Sequence, residues 1–285
     1  MKLGAYQFVM TGDLARNLDH IKQGIQQAAS QGVELLAFPE CALTGYPPLF
    51  IPSPSQVDTS AITQAYHELQ DLAVVHHMHL VIGTILQEED HIFNSALLFS
   101  PDGTRNAYHK RALWGWDADH FNAGTLPGVW DIAGLRVGVR ICYEVRFPEY
   151  FRELYKAETD LNLLLFCDVA DTDDIARYNL IRGHIQTRAV ENVCPILAIN
   201  TLSSFQTAPT GFYDASGRPL AELPREEAGL LVVDWLPQPL SFGECGRRTI
   251  SDQLIGIKRP SDIPSNADML RHLSIKESDI EAAED

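Results

Sequence analysis

The chain has 285 residues, 45% of them hydrophobic and 21% charged, the balance of a globular protein with a substantial core. A formal net charge of −16 repels phosphate backbones and argues against nucleic acid as a partner. Five scattered cysteines without a CxxC pair argue against a disulfide framework or a thiolate zinc site, and suit a reducing compartment, by default the cytoplasm.

Strand-like and helix-like blocks alternate along the chain, which is the pattern of an α/β protein. The first residues lack a signal-peptide core, and no segment is long and apolar enough to predict a membrane span. Residues 3–9 read as a strand, Asp13 opens a helix to Ser30, and 33–38 is an apolar strand stopping at Pro39-Glu40. A proline-rich loop (46–54) leads to a helix at 60–76 and strands at 80–86 and 93–99. Pro101-Asp102-Gly103 then turns the chain, proline setting φ and glycine tolerating positive φ. Further strands are expected at 129–132, 135–142, 161–166, 196–200 and 230–233, and helices at 148–156 and 174–192. No linker or internal repeat interrupts this, so residues 1–236 read as one domain. From Pro237 the pattern loosens, and 237–285 reads as an extended tail, packed on a neighbouring subunit or partly disordered.

The most informative segment is Arg140-Ile141-Cys142-Tyr143-Glu144-Val145-Arg146-Phe147-Pro148-Glu149. An apolar run delivers a thiol to a strand end, and Pro148 suits the first position of a helix. Such a turn exposes a nucleophile at the sheet rim, beside backbone N–H groups that can receive an oxyanion. The charged neighbours Glu144, Arg146 and Glu149 argue against a merely buried core cysteine. Glu40 and Lys110 also stand just past a strand or a hairpin arm, and strand ends share a rim, so the three groups can meet. A carboxylate to take the thiol proton, a thiolate to attack and an ammonium to hold the oxyanion make a hydrolytic set.

Other signals have plainer readings. Cys41 is expected to point away from Glu40 along an extended segment and to be structural. His76-His77-Met78-His79 reads as a solvated junction rather than a metal cluster, and Arg188 with Glu191 as an ion pair within one helix. Tyr46, Trp114, Tyr143 and Arg146 adjoin the reactive segments and are candidate substrate contacts, with Arg146 suited to a substrate carboxylate.

Four segments, in order, resemble the nitrilase (carbon–nitrogen hydrolase) superfamily, over residues 3–235. They are Phe38-Pro39-Glu40 with Leu43-Thr44-Gly45-Tyr46; Phe93-Asn94-Ser95 through His109-Lys110-Arg111-Ala112-Leu113; Cys142 to Glu149; and Arg188-Ala189-Val190-Glu191-Asn192. The resemblance implies a four-layer α-β-β-α sandwich, a triad of Glu40, Lys110 and Cys142, and no metal or organic cofactor. It also implies a second carboxylate four residues before Phe121-Asn122-Ala123-Gly124, where this chain carries Asp117 instead of Glu. The shorter side chain leaves its reach open, with Asp119 as a rival. Glu144, where the family more often has Asp, is another departure.

The implied reaction is hydrolysis of a small linear amide to acid and ammonia through a cysteine thioester, because Leu43-Thr44-Gly45-Tyr46-Pro47-Pro48 resembles amidase-type members. Alternatives are an N-carbamoyl amide hydrolase, whose members often carry Trp where this chain has Tyr143, and then a nitrilase. A binding or scaffold member without activity is the reading from a different class, and the intact triad argues against it. The resemblance further implies a homodimer or a higher homo-oligomer.

Overall fold

The computed structural model describes residues 1–203 and 205–258. The first half of the chain forms β1 (Lys2–Gln7), α1 (Leu14–Ser30), β2 (Leu35–Ala37), α2 (Thr59–His76), β3 (His79–Glu88), β4 (His91–Phe99) and β5 (Arg105–His109). Next come α3 (Trp116–His120), β6 (Val129–Ile132), β7 (Leu135–Ile141), α4 (Pro148–Lys156), β8 (Leu161–Leu165), β9 (Val169–Ala170) and α5 (Ile175–Asn192). The last elements are β10 (Ile196–Ile199), β11 (Phe205–Gln206), β12 (Gly211–Tyr213), β13 (Pro219–Glu222), β14 (Gly229–Asp234) and α6 (Phe242–Ile255).

Two six-stranded sheets result, ordered β14-β1-β2-β3-β4-β5 and β13-β12-β10-β8-β7-β6. In each, three central strands run parallel (β1, β2, β3 and β7, β8, β10) and antiparallel neighbours flank them. Side chains alternate across each strand, so both faces of the central strands must be apolar. Leu3, Ala5, Leu35 and Ala37 of the first sheet meet Val137, Val139, Leu161 and Leu163 of the second in the inner core. On the outer face of the first sheet, Tyr6 and Leu36 pack against Ile21 and Ile25 of α1 and Leu69 of α2. On that of the second, Leu164 and Ile196 pack against Leu154 of α4 and Ile185 of α5. These three layers of contact make the α-β-β-α sandwich that the resemblance implied.

Asp13 caps α1 by accepting from the Ala15 and Arg16 amides, and Pro148 opens α4, as their sequence positions suggested. The extended tail is corrected in part, because 242–255 is helical. Ser241 and Glu244 form a capping box there, a signal masked in the sequence by Gly243 and Gly246. Asp252 of this helix accepts a hydrogen bond from Tyr155 of α4 at 2.6 Å, which docks it on the sandwich. The remainder of the expected tail, 259–285, lies outside the described residues. Short α3 and the strands β9, β11, β12 and β13 were not anticipated; with two to five residues each, they carry almost no periodicity.

Candidate active site

The C-terminal ends of β2, β5, β7 and β8 share one rim, and the residues just past them converge there. Glu40 follows β2, Lys110 follows β5, Cys142 follows β7, and Cys167 and Asp168 follow β8. A backbone bond from Glu40 N–H to the Phe166 carbonyl (3.2 Å) ties the rims of the two sheets together. Lys110 Nζ lies 2.9 Å from Glu40 Oε1 and 2.8 Å from Asp117 Oδ2. The Cys142 thiol lies close enough to the Glu40 carboxylate for that charge to act on it directly. Sulfur, acid and amine thus meet, although they come from stretches some seventy and thirty residues apart.

Cys142 has φ of +47°, in the left-handed region where a side chain is strained by roughly 1–2 kcal/mol. That strain breaks β7 abruptly and starts a short 3₁₀ turn over Cys142–Arg146. Glu144, fully buried, holds the turn: its carboxylate accepts from Tyr108 Oη (2.7 Å) and from the backbone N–H of Arg111 (2.8 Å) and Ile141 (2.7 Å). One side chain therefore locks the Lys110 loop to the Cys142 turn. Arg188 clamps the same turn from α5, donating to the Val145 carbonyl at 2.9 Å while pairing with Glu191 at 2.8 Å, as its spacing suggested.

Burial pushes the Cys142 thiol well above its ordinary value and the Glu40 charge adds to this, with Lys110 pulling only part of the way back. The resting sulfur is therefore protonated, and its activation needs a neighbouring base. Burial pulls the Lys110 ammonium down, but Glu40, Cys142 and Asp117 outweigh it and hold Lys110 well above the usual range. Lys110 is charged at every working pH.

Asp117 is the carboxylate that reaches Lys110, whereas Asp119 is exposed. The short side chain suffices because α3 brings its backbone close, and Tyr46 Oη donates to Asp117 Oδ1 at 2.6 Å. A cavity of about 520 Å³ opens above the cluster, lined by Cys142, Lys110, Asp117, Tyr46, Trp114, Tyr143 and Arg146 among others. All four expected substrate contacts reach it, although Trp114 is 77% exposed at its mouth. Arg146 stacks over the Tyr143 ring at 5.8 Å.

Asp168 and Arg177 also face this cavity and were missed. They form an ion pair of 2.8 Å, and Thr207 donates to the same Asp168 oxygen. Asp168 follows an apolar strand as Glu40 does, so the signal existed; Arg177 in the first turn of α5 had none. Cys41 is buried beside Ile85 and Phe121, consistent with a structural residue, but its φ of +51° shows a turn rather than the expected extended segment. Among the described residues no cluster of His, Cys, Asp and Glu is arranged to hold a metal, and no helix is long and apolar enough to cross a membrane.

Known proteins share this arrangement of elements. The omega-amidase NIT2-A of Xenopus laevis is 28% identical over 160 residues, which are 52% of this chain and 56% of that protein. Nitrilase 3 of Arabidopsis thaliana is 30% identical over 167 residues, 50% of this chain and 47% of that one. The chain thus spans about half the length of the curated relatives it matches. A crystal structure of an amidase from Nesterenkonia sp. superposes with a TM-score of 0.72 at 27% identity, covering 83% of this chain and 90% of that one. In a variant of that amidase, the acetamide moiety of fluoroacetamide is covalently added to the active-site cysteine. The carbon-nitrogen hydrolase model matches residues 2–238, nearly all of the sandwich, and with the shared fold this shows that the chain belongs to the carbon-nitrogen hydrolase family.

Proposed function

We propose that this protein hydrolyses the carbon–nitrogen bond of small linear amides to an acid and ammonia, through a thioester on Cys142. The observation that carries this reading is the convergence of the Cys142 thiol, the Glu40 carboxylate and the Lys110 ammonium beside one cavity. Glu40 takes the thiol proton as sulfur adds to the amide carbonyl. Lys110 and the Tyr143 backbone N–H, at the start of the 3₁₀ turn where N–H groups have no partner within it, hold the oxyanion. Glu40 then passes its proton to the leaving nitrogen, ammonia departs, and Glu40 activates the water that releases the acid. Asp117 keeps the Lys110 ammonium aimed at the oxyanion position. Tyr46, Tyr143, Trp114 and Arg146 line the substrate space, and Arg146 suits an amide with a distal carboxylate, a choice also favoured by the omega-amidase relatives.

An ammonia-release screen over linear amides, N-carbamoyl amines and nitriles tests the reading. Amides should lead, and Cys142→Ala should abolish release while keeping the wild-type melting temperature. Undiminished release from that variant would end the thioester mechanism; preference for carbamoyl amines or nitriles would transfer the assignment to those substrates.

Free cysteines throughout support a reducing compartment such as the cytoplasm. A homo-oligomer is favoured by exposed Leu180 on α5 and by Ile250 and Leu254 on neighbouring α6, apolar groups that a subunit contact would cover. Light scattering of the full chain checks this, and a monomer at micromolar concentration would refute it.

A further inference from the structure

Asn94, near the start of β4 and only 1% exposed, touches the reactive cluster from three sides. Its side-chain amide donates to Glu40 Oε1 at 2.7 Å, the same oxygen that accepts the Lys110 ammonium at 2.9 Å. Its backbone carbonyl accepts the Lys110 N–H at 2.8 Å. An ionised carboxylate only accepts, so the NH2 end of the amide meets Glu40 and the side-chain oxygen faces the Cys41 thiol at 3.7 Å.

The consequence lies in the lone pairs of Glu40. A carboxylate oxygen offers two acceptor directions. Lys110 and Asn94 occupy both on Oε1, and the Cys167 N–H takes one on Oε2 at 2.9 Å. One direction, on Oε2, is left for the Cys142 thiol. A buried amide that only needed a partner would be satisfied by any backbone carbonyl; this one places its donor on the anion.

We propose that Asn94 is a positioning residue for the hydrolytic reaction: by holding Oε1 it turns Glu40 so that Oε2 meets the Cys142 thiol, and it stabilises the charge on that carboxylate. The kinetic part of this inference rests on the amidase reading; the geometric part does not. The titratable groups that face Glu40 are Lys110 from β5, Cys142 from β7, Cys167 from β8, Cys41 from its own loop and Tyr46 from the loop beyond. Asp117 lies behind Lys110, and Asp168 acts on the thiol. None of these can replace the lost donor, since Lys110 already holds Oε1.

The test compares Asn94→Leu and the isosteric Asn94→Asp with wild type, by ammonia release against pH and by the rate of Cys142 alkylation with iodoacetamide against pH. Removing a donor from a carboxylate disfavours its charged form, so Asn94→Leu should move the acid limb of kcat/KM up by about one pH unit. It should lower kcat by at least roughly tenfold and leave KM within about threefold, because its effect falls on proton transfer rather than on binding. Asn94→Asp can donate only while protonated, so it should retain activity at the acid end and lose it toward neutrality, where two carboxylates oppose each other. The alkylation profile should shift with the same sign. A folded Asn94→Asp that keeps wild-type activity from the acid end through neutrality would overturn the proposal, whatever happens to Asn94→Leu. A wild-type protein that released no ammonia from any amide would refute the amidase reading instead, with the alkylation profiles still deciding the role of Asn94.

Discussion

Arg146 and Asp117 show how single side chains acquire roles from their surroundings. Asp117 is one methylene shorter than the glutamate usual at this position, yet it reaches Lys110 at 2.8 Å because α3 carries it inward. Glu144 is one methylene longer than the usual aspartate, and the extra length lets one carboxylate join the Lys110 loop to the Cys142 turn. Arg146 leans on Tyr143 and lines the cavity, so it should bind a carboxylate at the far end of a substrate. A charge-assisted hydrogen bond of this kind is worth about 1.5–3 kcal/mol. Arg146→Ala should therefore raise KM for acidic amides by roughly 10- to 100-fold and leave neutral amides little changed. Equal losses for both classes would remove Arg146 from substrate recognition.

At the scale of elements, the cluster depends on backbones that approach too closely for any side chain. A Cβ on Gly83, in β3, would stand 2.1 Å from the Pro39 carbonyl oxygen and 2.6 Å from Glu40 Cα. Both neighbours are backbone, so the loop bearing Glu40 would have to move. A Cβ on Gly124 would meet the His109 carbonyl at 2.3 Å, one residue before Lys110. Misplacing a reacting group by about 1 Å can cost on the order of 10²-fold in rate. Gly83→Ala should thus cut kcat/KM by about two orders of magnitude with helical content unchanged, as read by ammonia release and circular dichroism. Near-wild-type activity would mean that the Glu40 loop adapts freely.

At the scale of the molecule, the cluster sits on the seam between two sheets, and the same burial leaves a mark on stability. Burial pushes Cys41, Cys142 and Cys167 well above the ordinary thiol value, and Cys194 from 9.0 to about 12. The unfolded chain loses these protons above pH ~8.5 while the folded chain keeps them. The contribution is therefore complete at neutral pH and shrinks as pH rises, by about 1.4 kcal/mol per such group per pH unit. The urea midpoint should hold steady from pH 7 to 8 and fall clearly by pH 10. A midpoint unchanged at pH 10 would mean that the thiols titrate alike in both states.

Glu40 and Cys142 were legible in the chain alone because each ends an apolar run, whereas Lys110, after the polar arm Arg105–His109, was marked chiefly by the family resemblance of its block. Helices α1, α2, α4 and α5 were legible for a related reason, since their caps and apolar spacing are local properties. Asp117 was implied by the family resemblance, as the carboxylate four residues before Phe121, but only the tertiary contact with Lys110 separated it from Asp119. Asp168 ends an apolar strand much as Glu40 does, but nothing local named its partners Arg177 and Thr207, and Asn94 owes its place to Glu40, 54 residues away. Sequence by itself determined the longer helices and central strands and the reactive groups at their ends, both consequences of short-range sterics and apolar patterning. Register and sheet stacking decided the rest: which lone pair of Glu40 stays open, and which carboxylate holds the lysine. Hydrogen-bond geometry resolves tenths of an ångström between chain segments, and no spacing along a single chain carries that information.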